Sequence, residues 1–95
     1  MLPRLGLAAG AVGWKAGHEA VLSGALILDE LDETARNERL AAYAAEQARA
    51  YMGQIVTTHG LTPAEGVGIW RVYMRAFMRG ALDQALDAGA LLHGS

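Results

Sequence analysis

Glycine recurs at positions 6, 10, 13 and 17 near the start of the chain, in "GLAAGAVGWKAG", and again at position 24. Wound as a helix, Gly6, Gly10, Gly13, Gly17 and Gly24 fall together with Ala20 within roughly 80° of the circumference. Gly6 and Gly10, like Gly13 and Gly17, have the GxxxG spacing that lets two helix backbones touch. The same residues make the segment a poor helix in isolation, because each interior glycine costs about 1 kcal/mol relative to alanine. Such a helix forms only against a surface that repays the cost; otherwise the glycines belong to loops and align by coincidence. The expectation is a helix over residues 11–29, with residues 1–10 left open between helix and loop, packed on another helix of this chain or of a neighbouring subunit. Trp14, Val21, Ala25 and Leu28 border the strip, and Lys15, His18, Glu19 and Ser23 lie opposite.

The remainder reads as two helices. "HGLTPAEG" supplies Gly60 as a stop, Thr62 as N-cap, Pro63 at the first helical position and Glu65 to complete a capping box. Before it, residues 32–59 are rich in alanine, arginine, glutamate and glutamine, good helix formers, with Asp32 available as N-cap. Leu40, Ala44, Ala48, Tyr51 and Ile55 share one face there, and Glu38, Arg39, Glu46 and Arg49 the other. A buried stripe so rich in alanine admits a close neighbour.

A third helix is expected from Pro63 to about residue 88, ending near Gly89. Its wheel gathers Trp70, Met74, Phe77, Ala81 and Ala88 into one apolar arc, with Tyr73 and Met78 at the edges, whereas Leu82 and Leu86 fall among the arginines. A helix apolar on two sides is usually covered on two sides. No alternating run suggests a strand.

Composition limits what these helices can bury. The chain has 95 residues, enough for one small domain, and its 53% hydrophobic content includes 19 alanines beside 12 glycines, so the core is thin. With no cysteine there is no disulfide framework, thiolate nucleophile or cysteine-ligated metal. His18, His59 and His93 lie far apart with no second ligand at helical spacing, and "GAVGWKAG" lacks the order of a phosphate loop. The acidic "DELDE" at 29–33 lacks the glycine turn and terminal glutamate of a calcium loop, and suits a helix N-terminus instead. No catalytic, cofactor-binding or metal-ligating residue is therefore assigned.

Arg71, Arg75 and Arg79 repeat every fourth residue, and within the helix only Asp83 is placed to relieve one of them, by an i,i+4 contact with Arg79. Pairing with the carboxylates of residues 29–33 or of a partner chain is the favoured use of these arginines. A solvated stripe comes next, and a phosphate-binding strip last, because net charge is −2 and three arginines make a weak nucleic-acid footprint.

Residues 5–28 are long enough to cross a bilayer. Lys15, His18 and Glu19 would then lie near its centre, where a Lys or Asp costs about 2.5–3.5 kcal/mol. A signal peptide fits poorly as well, because the apolar stretch between Arg4 and "AGA" at 9–11 is short.

The resulting expectation is an all-α fold of three helices, with an antiparallel hairpin of about 32–59 and 63–88 and a glycine-rich N-terminal helix. The function expected is non-enzymatic: a small helical subunit of a homo-oligomer or larger assembly, intracellular or particle-associated, with self-association or a protein partner. Its candidate interface residues are Gly10, Gly13, Gly17, Gly24, Trp70, Phe77, Leu82 and Leu86, with Arg71, Arg75 and Arg79 as ion-pairing or anion-contacting residues. The alternatives are a membrane-active protein of pore or lysis type that uses the glycine strip, and a small nucleic-acid-binding regulator that uses the arginines.

Overall fold

The computed structural model describes residues 2–28 and 32–87, and the fold is all-α: α1 (Leu2–Leu22), α2 (Glu33–His59) and α3 (Pro63–Asp87). The helices lie along one another in a rod with extents of 45 × 20 × 20 Å. Asp32 caps α2 by accepting the Ala35 amide at 2.7 Å. Gly60 ends that helix in the left-handed region, at φ 61°, its amide donating to the Val56 carbonyl at 2.9 Å. The capping box of α3 is complete: the Thr62 amide donates to Glu65 Oε1 at 2.9 Å, and the Glu65 amide donates to Thr62 Oγ1 at 3.2 Å. Those bonds hold the Glu65 carboxyl below its ordinary range.

The first helix departs from the expected 11–29 at both ends. It begins at Leu2, so the glycine strip is helical from Gly6 onward, and it ends at Leu22. Gly24 stops it: at φ 82° it takes a backbone conformation that other residues rarely adopt, and the Leu26 amide folds back onto the Ala20 carbonyl at 2.8 Å. The reversal carries Leu26 and Leu28 into the buried cluster. Gly24 is thus a helix terminator with open space around its α-carbon, outside the packing strip. The expected end of α3 near Gly89, with Ala88, lies outside the described residues.

The chain runs up, down and up. Gly10 of α1 meets Val72, Gly13 meets Tyr73 and Ala76, and Gly17 meets Phe77 and Ala81, so α1 and α3 lie side by side in parallel. Tyr43 meets Phe77 and Tyr51 meets Tyr73, so α2 returns antiparallel to α3 across the turn at residues 60–62, as the hairpin requires. α3 is the shared element, packing against both other helices.

Among the described residues Phe77, Leu26 and Leu40 are the largest side chains wholly out of solvent, and Ala9, Ala20, Ala44, Ala48, Ala81 and Ala85 make up much of the remaining core. The expected face of α2 is confirmed by burial of Leu40, Ala44 and Ala48. On α3 the buried arc is rotated from expectation: Ile69 and Tyr73 are inside, while Trp70 stays 38% exposed. The reason is that α1 approaches α3 from the Tyr73 side, which draws the core away from Trp70.

Candidate functional site

The glycine strip is engaged within the chain. A Cβ on Gly13 would stand 2.7 Å from the Tyr73 carbonyl oxygen, and one on Gly17 would overlap the Phe77 carbonyl and lie 3.0 Å from the Ala81 amide nitrogen. The contact is reciprocal, because a Cβ on Gly80 of α3 would overlap the Trp14 carbonyl of α1 and lie 3.0 Å from its Cα. In both places a glycine hydrogen occupies the position of a side chain and points at a carbonyl, the geometry of a Cα–H···O contact worth about 0.5–1 kcal/mol. A Cβ on Gly10 would stand in ordinary contact with Val72 Cγ1 at 3.7 Å, and nothing lies within 4 Å of a Cβ on Gly6. The seam therefore closes at Gly13, Gly17 and Gly80 and widens towards Gly6, where Gly68, Ile69 and Val72 line an open groove. Gly80 escaped the sequence reading; its signal was a glycine in the middle of a strong helix pattern.

At the upper edge of this seam the Asp83 carboxylate gathers two donors. Trp14 Nε1 donates to one oxygen at 3.1 Å and Arg79 Nε to the other at 3.2 Å, the latter being the expected i,i+4 pair. The Trp14 indole also stacks on His18, with ring centres 4.9 Å apart. Trp14 is thereby fixed on both sides while remaining partly exposed.

On its α2 side α3 presents rings. Tyr51 stacks on Tyr73 at 4.8 Å, and Phe77, which is wholly buried, touches Tyr43 and Tyr73 at 5.7 and 6.2 Å. Phe77 thus serves the core. Burial raises the Tyr51 phenol above its ordinary value, and burial together with the neighbouring phenols Tyr51 and Tyr43 raises that of Tyr73. Lower along the same interface Met52, Val56, Gly66, Val67 and Trp70 line an open groove between the helices, and Val56, Val67 and Trp70 expose apolar surface there.

The third side of α3 carries the remaining candidates. Arg71, Arg75 and Arg79 form one i,i+4 row and Met78, Leu82 and Leu86 the adjacent one. Arg75, Arg79, Val72, Met78 and Leu82 line a shallow groove, and Leu86 is 43% exposed beyond it. Arg71 and Arg75 make no ion pair among the described residues. Asp32 and Glu33 are exposed and likewise unpaired, while Asp29 and Glu30 lie outside the described residues. The expected pairing with residues 29–33 is thus absent for its described part.

No group of three His, Cys, Asp or Glu side chains gathers among the described residues, and His93 lies outside them. No helix there is long and apolar enough to cross a membrane. Compared with protein-family models, curated proteins and solved structures, the chain matches none.

Proposed function

We propose that the protein is a non-enzymatic structural component, a small helical subunit that acts by associating with copies of itself or with a larger assembly. The observation that carries this reading is the outer face of α3. After the fold has closed, Val72 and Leu86 remain exposed on one surface with Arg71 and Arg75, beside a half-buried Leu82. The core uses only part of this apolar area, through the inner side of Leu82, and a face that alternates arginine with large apolar residues is the composition of a protein contact. Gly13 and Gly17 are consumed inside the chain, so the contact surface passes from the glycine strip to α3.

The test is the solution mass of the purified chain by light scattering after size exclusion, at low and high salt. A mass above that of the monomer is expected, with Val72→Asp combined with Leu86→Asp, both at exposed positions, returning it to the monomer. A wild-type monomer in both buffers overturns self-association and leaves a different partner chain as the occupant of this face.

A further inference from the structure

We propose that the groove between α2 and α3 binds a single-chain amphiphile with an anionic head, a medium-chain fatty acid carboxylate, with the head at Arg49 and the acyl chain laid along Met52, Val56 and Val67 towards the turn. The site lies away from the outer face of α3 and stands independently of the association reading.

Two hollows of about 500 and 350 Å³ make up the groove, and they share Met52, Val56 and Trp70. Both volumes fall within the range of ordinary ligand pockets. Ala45, Arg49 and Gly53 border the upper hollow, and Leu61, Pro63 and Gly66 the lower one. Arg49 and the turn therefore stand at opposite ends of one trough, and the stretch of α2 from Arg49 to Val56 alone covers about 10 Å. Two glycines make the room. A Cβ on Gly66 would touch Met52 Cε at 3.7 Å and Val56 Cγ2 at 3.8 Å, so this residue is the floor beneath both side chains, and nothing lies within 4 Å of a Cβ on Gly53, which leaves the wall of α2 open.

The lining selects the head. The Thr57 hydroxyl donates to the Gly53 carbonyl at 3.0 Å, and the Thr62 hydroxyl accepts the Glu65 amide at 3.2 Å, so each is engaged by its own helix. The side-chain polar groups of the groove that have no partner among the described residues are the Arg49 guanidinium and the Trp70 indole N–H, and both are donors. No carboxylate lines it: Glu46, one turn before Arg49, makes no ion pair with it, and Glu65 bonds to the Thr62 amide and borders the separate groove beside α1. An apolar trough whose one lining charge is a cation at its upper end matches an apolar chain with an acceptor head. Arg49 is exposed, so a carboxylate there keeps part of its water while the acyl chain leaves it.

The test titrates dodecanoate, below its micelle concentration, into the purified protein and follows tryptophan emission and calorimetric heat. Saturable uptake of one molecule per chain is expected, with emission moving to shorter wavelength as Trp70 is covered; a Trp14→Phe background isolates that signal. Arg49→Gln should weaken dodecanoate about tenfold and leave the uncharged dodecanol unaffected. Gly53→Leu places a side chain in the groove at an exposed helical position with open space around it, so it should abolish uptake of both while the helical circular dichroism is retained. Gly68→Leu, in the groove beside α1, is the matching control and should leave uptake intact. A wild type without saturable uptake overturns the site. Uptake that survives Gly53→Leu also overturns it, because the ligand then lies elsewhere. An Arg49→Gln variant that treats dodecanoate and dodecanol alike removes the head contact and with it the proposal. Retention of the protein on phosphatidylglycerol vesicles without uptake of free dodecanoate does the same, because the surface then belongs to a bilayer.

Discussion

α3 is gripped on two sides by opposite means. Against α1 it lays backbone on backbone: Gly13, Gly17 and Gly80 remove the side chains, and the carbonyls of Trp14, Tyr73 and Phe77 fill the space. Against α2 it interposes rings, with Tyr51 on Tyr73 and Tyr43 beside Phe77. The difference lies in what each interface can absorb. A ring can tilt within its layer, whereas a helix backbone opposite a carbonyl cannot yield without moving the whole helix. The small core of this chain is affordable because one of its two interfaces is so close that dispersion between backbones substitutes for large side chains.

The sharpest way to break that contrast is a single carbon. Gly17→Ala improves intrinsic helix propensity by about 1 kcal/mol, but its methyl overlaps the Phe77 carbonyl. The net expectation is a loss of about 1–3 kcal/mol, a large share of the ~5–15 kcal/mol that holds a domain together. Urea denaturation followed by circular dichroism measures it; an unchanged or raised midpoint would show that the helices separate freely and that the seam is not the rigid side.

The same substitution three turns earlier should reverse sign. A methyl on Gly6 meets nothing within 4 Å, so Gly6→Ala keeps only the propensity gain and should stabilise by about 0.5–1 kcal/mol. Destabilisation by Gly6→Ala would mean that the seam is closed along its whole length.

These two glycines also mark how far the sequence can be read. Caps, being local chemistry, were legible: Asp32, Gly60, Thr62 and Glu65 behave as their types and spacing demand. The glycine strip was legible as a place of close approach, but nothing in its spacing distinguishes a partner helix in the same chain from one in another subunit. That choice depends on Gly80, which makes sense only when α1 and α3 run parallel, a relation set by tertiary packing. α1 ends earlier than its pattern implies because Gly24 shares the helical phase of the strip while its backbone adopts positive φ. On α3 the wheel places Leu82 and Leu86 among the arginines, where they lie, but it also groups the exposed Trp70 with the core, because a wheel gives relative faces and not which neighbour covers them.

The aromatic side of the comparison can be probed by pH, with the smallest effect at neutrality. Tyr51→Phe and Tyr73→Phe remove hydroxyls that have no hydrogen-bond partner among the described residues, so each should change stability by about 0.5 kcal/mol or less at pH 7. Alkaline pH separates them from the wild type. Both phenols are raised above the ordinary value of 10.0 in the folded chain, so folding favours their protonated form. That contribution is complete below the unfolded value and is lost as pH rises through the folded one. The wild type should therefore lose stability above about pH 10 faster than the double Phe variant, while Gly17→Ala and Gly6→Ala shift the whole curve without changing its slope. Thermal unfolding across this range measures it. Parallel curves for the wild type and the double Phe variant would mean that the phenols are as free to ionise in the fold as outside it, and that the layer between α2 and α3 is looser than its ring distances imply.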